Sequence, residues 1–173
     1  MVVLLAGSLV VSAVMAAPAG KDIAANNNLQ NLYLYPKAYA DAPEWTTLWE
    51  QGAWGKYNYS FGLDGQTISG VFNGHKLAPG TEYALISYND PWGTPFVFVG
   101  SGIANKAGNV HITGSADLGE DLESPEYVGH GPGDGYKIWL VLTDDITGSQ
   151  FDAWNPGAYL FENNRIGATN TAS

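Results

Sequence analysis

Leu77-Ala78-Pro79-Gly80-Thr81-Glu82-Tyr83-Ala84-Leu85-Ile86-Ser87-Tyr88 decides how this chain folds. Pro79 presets its own backbone torsion and Gly80 accepts a positive one, so the pair makes a turn that feeds straight into a strand. In that strand Tyr83, Leu85 and Ser87 share one face. A tyrosine just inside such a strand can bury its ring while its hydroxyl bonds back to the backbone of the corner, a device of β-sandwiches. The expected fold is therefore all-β: an antiparallel β-sandwich of Ig-like or Greek-key type, with at most one short helical turn.

The surrounding sequence agrees. Lys56-Tyr57-Asn58-Tyr59-Ser60-Phe61 alternates, Asp64-Gly65 breaks it, and Thr67 to Phe72 resumes, which predicts a hairpin. Phe96 to Gly100 reads as a strand. A turn at Asn105-Lys106-Ala107-Gly108 separates Ser101-Gly102-Ile103 from Asn109 to Gly114, a second expected hairpin. Tyr136-Lys137-Ile138-Trp139-Leu140-Val141-Leu142 is apolar enough for a central strand, and Tyr159 to Glu162 is the last one. Asp41 to Trp54 is the place for the helical turn, with Trp45 and Trp49 on one face at spacing four. Strand signals at short intervals without intervening amphipathic helices suit a sandwich and not an α/β fold.

The chain of 173 residues suits one domain. Residues 1–16 carry no charge and read as a signal peptide or hydrophobic anchor, and 17–28 as a flexible leader of Ala, Asn, Gly and Pro. The sandwich is expected over 29–166, with a polar tail at 167–173. Such a leader places the protein outside the cell or on its surface, with no membrane span in the mature form. Seventeen acidic against seven basic residues give a net charge of −10, which repels nucleic acid and suits cationic partners or bound cations. The absence of cysteine excludes disulfides, thiolate nucleophiles and cysteine-held metals.

Candidate functional residues fall into three groups. Leu29, Leu32, Tyr33, Leu34 and Tyr35 form a strand with two apolar faces behind the leader; it can pair at home as an edge strand or be donated to a neighbouring subunit. The stretch Asp117 to Asp134 holds six carboxylates with no Lys or Arg between Lys106 and Lys137. Asp117, Glu120, Asp121, Glu123 and Asp134, joined by Asp144 and Asp145, are candidate calcium ligands, since calcium takes several oxygen donors. Trp92 and Trp154, each in a turn-rich loop, are candidate sugar-stacking rings, whereas Trp139 lies in an apolar strand and belongs to the core. His75, His111 and His130 lack any short metal-ligand spacing, and no nucleophile elbow or phosphate loop is present. No catalytic residue is assigned.

Leu77-Ala78-Pro79-Gly80-Thr81-Glu82-Tyr83 resembles the corner of fibronectin type III domains, which implies the sandwich. More widely, Phe72-Asn73-Gly74-His75, Asp90-Pro91-Trp92, Gly100-Ser101-Gly102, Gly108-Asn109-Val110-His111, Trp139-Leu140-Val141-Leu142 and Trp154-Asn155-Pro156 are similar to segments of uncharacterised secreted prokaryotic proteins. Copper/zinc superoxide dismutase-like sandwiches carry His-x-His where this chain has Tyr83-Ala84-Leu85, so their copper chemistry is not expected. The expectation is a cell-surface structural or interaction module, not an enzyme, that self-assembles by strand donation or binds other surface proteins. The alternative is a calcium-assisted module that binds glycans.

Overall fold

The computed structural model describes residues 29–39, 45–50, 52–63, 67–89, 95–118, 136–163 and 166. In chain order the strands are β1 (Gln30–Tyr35), β2 (Lys37–Ala38), β3 (Thr46–Thr47), β4 (Trp54–Phe61), β5 (Thr67–His75) and β6 (Glu82–Asn89). They continue with β7 (Val97–Ile103), β8 (Val110–Asp117), β9 (Tyr136–Leu142), β10 (Ile146–Thr147), β11 (Gln150–Phe151) and β12 (Leu160–Glu162). Eight of them form one antiparallel sheet in the order β7-β6-β9-β12-β1-β4-β5-β8, with β2-β3 and β10-β11 as two-stranded ribbons. The expected all-β, sandwich-like architecture is present, built by folding a single sheet over. Its two halves are β7-β6-β9-β12 and β1-β4-β5-β8.

Alternation of side chains explains why the sheet folds. Leu32 and Leu34 of β1, Tyr57 and Tyr59 of β4, Ile68 and Phe72 of β5 and Val110 and Ile112 of β8 turn inward. They meet Tyr83 and Leu85 of β6, Val99 of β7, Ile138 and Leu140 of β9 and Leu160 of β12 in one continuous buried cluster. Each buried Leu, Ile or Phe removed from water contributes about 1.5–3 kcal/mol. Inside, the Tyr57 and Tyr59 rings stack with centroids 5.4 Å apart. Burial raises the pKa of both phenols, that of Tyr59 to about 12.

The expected hairpin of β4 and β5 forms in full, from Trp54 opposite His75 to Phe61 opposite Ile68. The second one differs. Asn105 donates its N–H to Asn109 O at 2.8 Å to close the turn, but β7 then pairs with β6 and β8 with β5. The arms of this turn lie across each other, backbone on backbone: a Cβ on Gly114 would stand 2.0 Å from Val99 O, and one on Gly100 3.2 Å from Thr113 O. Glycine at these positions lets the far edges of the sheet meet, which closes the fold.

The corner read from the sequence is formed as expected. Gly80 has φ of 77°, Tyr83 is buried, and the Ala78 N–H donates to Tyr83 Oη at 3.2 Å. The same corner is tied to the β7–β8 turn by Gly80 N–H to Ala104 O at 2.8 Å and Leu77 N–H to Gly108 O at 2.9 Å.

The helical turn expected within 41–54 is not formed by the described part of that segment. Thr46–Thr47 is a short strand paired with Lys37–Ala38, and Trp45 has φ of 49°. This bend sends Trp45 against Phe161, with ring centroids 5.4 Å apart, and Trp49 against Tyr35 at 4.5 Å. The two tryptophans therefore serve different faces of the molecule. The helical segments of the described chain are 3-10 turns such as Thr143–Asp145 and Pro156–Ala158.

A second buried cluster covers the outer face of β6, β9 and β12. Ala84, Ile86, Tyr88, Trp139, Val141 and Phe161 face out from these strands and are buried under Phe96, Tyr159, Trp45, Ile146 and Phe151. Replacing Tyr83 by Phe is expected to lower stability by about 1 kcal/mol, since it removes one hydrogen bond without opening a cavity. Chemical denaturation checks this, and an unchanged midpoint would show that the corner bond contributes nothing.

Candidate functional site

With one outer face covered, the other draws interest. The strand registers place its outward side chains in rows across β1, β4, β5 and β8. Trp54 lies opposite His75. The next row runs Tyr33, Lys56, Asn73, His111, then Asn31, Asn58, Val71, Thr113, and then Ser60, Ser69, Ser115. None of these residues is buried.

One end of the face is aromatic. The rings of Tyr33 and Tyr35 lie 6.4 Å apart and 18° from parallel, and Trp54 is 6.4 Å from Tyr33. Trp49, 60% exposed, packs on Tyr35, and the His75 ring lies 4.4 Å from Trp54. Lys56 places its Nζ 5.7 Å from the centre of the Tyr33 ring, a cation–π contact. Beside the rings runs a polar border with fixed partners. His75 Nδ1 pairs with Asn109 Oδ1 at 3.1 Å, His111 Nδ1 with Asn73 Oδ1 at 2.8 Å, and the Ser69 and Ser115 hydroxyls meet at 2.8 Å. The imidazoles and amides are thus held in place, with remaining donor and acceptor capacity toward solvent.

The residues singled out from sequence are divided by the structure. Of the proposed donor strand, Leu32 and Leu34 fill the chain's own core, Tyr33 and Tyr35 belong to the aromatic face, and Leu29 is exposed. β1 is not an edge strand: it makes five register pairs with β4 and two with β12. Trp154 is 43% exposed, but its ring packs against Trp45, Trp139, Phe151 and Tyr159. It closes the covered face and is not a free platform. Trp92, Glu120, Asp121, Glu123 and Asp134 lie outside the described residues. Asp117 is exposed at the end of β8. Among the described residues no group of three or more His, Asp or Glu is placed to hold a metal ion.

Asp145, offered as a calcium ligand, is buried and already engaged. Tyr159 donates its hydroxyl to Oδ2 at 2.5 Å, and Asn155 Nδ2 donates to Oδ1 at 2.8 Å. The Asp145 carbonyl accepts from the N–H groups of Asp152, at 2.8 Å, and Ala153, at 3.2 Å. Burial and the bond to Asp145 both raise the Tyr159 pKa, so the phenol stays a donor. This knot shapes the segment between β9 and β12 that covers the outer cluster. Exchange of Tyr159 for Phe leaves one buried carboxylate oxygen without its donor and is expected to cost about 1–3 kcal/mol, read as a lowered thermal midpoint; no change would mean that the knot is not structural.

Sequence reasoning missed the Tyr33–Tyr35–Trp49–Trp54–His75 cluster and a buried acid, Glu162. The alternation of Tyr33 and Tyr35 was visible, but no local signal names β4 and β5 as their neighbours. Glu162 is 6% exposed, with Oε1 3.5 Å from Lys37 Nζ and Oε2 lacking a partner among the described residues. Burial raises its pKa above the ordinary 4.5, against the opposing pull of Lys37. A carboxyl whose folded value is raised favours the folded state most below its unfolded value, and that advantage is lost as pH climbs through the folded value. Glu162→Gln is therefore expected to match the parent near about pH 4 and to become the more stable of the two as pH rises towards about 8. A stability difference that stays constant across this range would refute the assignment.

Comparison of the chain with protein families, with curated proteins and with solved structures gives no match.

Proposed function

We propose that this chain is a non-catalytic interaction module of the cell surface that binds its partner through the outer face of β1, β4, β5 and β8. The observation that carries the reading is the contrast between the two outer faces. One hides its aromatic residues under the segment between β9 and β12, whereas the other presents Tyr33, Tyr35, Trp49 and Trp54 beside a border of imidazole, amide and hydroxyl groups. Exposed aromatic rings bordered by oriented polar groups are the composition of a recognition surface.

Self-assembly by donation of residues 29–35 would require β1 to leave β4 and β12 and to take Leu32 and Leu34 out of the core of its own chain. Binding through the assembled face asks for no such opening. The extracellular setting of this reading rests on the apolar segment 1–16 alone.

The test is sedimentation of the purified protein with envelopes isolated from the producing cells. The parent is expected to pellet with them, and the Tyr33→Ala/Trp54→Ala double variant to remain in the supernatant while binding falls at least about tenfold. A control variant on the covered side, Trp154→Phe, should still pellet. Equal pelleting of the parent and the double variant would place the interaction elsewhere.

A further inference from the structure

We infer that the occupant of the β1-β4-β5-β8 face is an acidic polysaccharide, a chain of pyranose rings carrying carboxylates. This inference rests on the preceding reading of that face as the binding surface, and three properties of the face select the ligand.

The first is the pairing of flat apolar area with oriented polar groups. Pyranose rings present C–H faces that stack on aromatic rings, and hydroxyls around the rim that need both donors and acceptors. Tyr33 and Tyr35 lie nearly parallel along one strand, with Trp54 beside Tyr33 and Trp49 beside Tyr35. Next to them Asn73–His111 and His75–Asn109 supply amide and imidazole groups held by each other.

The second is extent. Four successive rows across the strands continue from the rings through Asn31, Asn58 and Thr113 to Ser60, Ser69 and Ser115. An open lane of this kind fits a polymer, whereas a small molecule is better held in a closed pocket.

The third is charge. The chain carries 17 acidic residues against seven basic ones, yet the rows from Trp54–His75 to Ser60–Ser69–Ser115 contain no carboxylate, and the nearest one on this face, Asp117, lies one row beyond Ser115, at the end away from the rings. They contain Lys56, and Lys76 follows directly at the end of β5. The aromatic end of the face thus carries lysine and no acid in its rows, which is complementary to an anionic ligand.

Affinity electrophoresis of the full chain through gels containing polygalacturonate, or an uncharged galactan at the same concentration, tests the inference. Retardation by polygalacturonate is expected, together with at least about tenfold weaker retardation by galactan and marked weakening by added salt. Trp54→Ala should weaken binding about tenfold, and Lys56→Gln, a change at a half-buried outward position, severalfold for the acidic polymer alone. Equal retardation by both polymers, or indifference to Lys56→Gln, would overturn the acidic assignment. No retardation by either would overturn the polysaccharide as occupant. Envelope sedimentation that still depends on Tyr33 and Trp54 would then leave the binding face itself standing, so the two failures are distinguishable.

Discussion

The backbone contact between β7 and β8 is the constraint on which the rest of this molecule depends. A single sheet of eight strands can bury its inner side chains only if its far edges come together, and here they do so with almost nothing between them. Gly100 and Gly114 reduce the separation to peptide against peptide, because any side chain at Gly114 would stand inside Val99 O. The Pro-Gly-Thr-Glu-Tyr corner then locks the same end, since Gly80 and Leu77 donate to carbonyls of the β7–β8 turn and Tyr83 accepts from Ala78.

Closure has an unequal consequence for the two outer faces. β6, β9 and β12 are buried on both sides, and a segment held by the Asp145–Tyr159–Asn155 knot supplies the second layer. Among the described residues, β1, β4, β5 and β8 are buried on the inner side alone. Their outward residues divide into an aromatic end and a polar lane, with Asp117 at the far end of the lane from the rings. Covering is expensive in ordered residues, and the chain spends it on one half only. The recognition surface we propose lies on the other half.

How much of this the sequence disclosed follows the range of the interaction concerned. The corner was legible because Pro79, Gly80 and Tyr83 act over five residues, and β9 was legible because burial on both faces removes polar residues from a strand. The hairpin of β4 and β5 followed from alternation interrupted by Asp64-Gly65. The segment around Trp45 and Trp49 was misread as a helical turn, since spacing four is also compatible with a bent chain whose two rings meet unrelated strands. Trp154 is exposed, as its Asn-Pro-Gly surroundings suggest, but two of the rings it packs on, Trp45 and Trp139, lie on distant parts of the chain. The same limit hid the aromatic face: alternation shows that Tyr33 and Tyr35 point together, but only strand order brings Trp54 and His75 beside them.

β1 decides between the two ways this protein could act at a surface, because it either completes its own sheet and displays Tyr33 and Tyr35 or leaves to join a neighbour. Amide hydrogen exchange of the dilute protein, measured on the monomeric fraction, tests this most directly. The account predicts that the β1 amides paired with β4 are protected as strongly as those of β5 and β9, with exchange through global unfolding. Rapid exchange at residues 31–34 in a monomer whose other strands stay protected would contradict it.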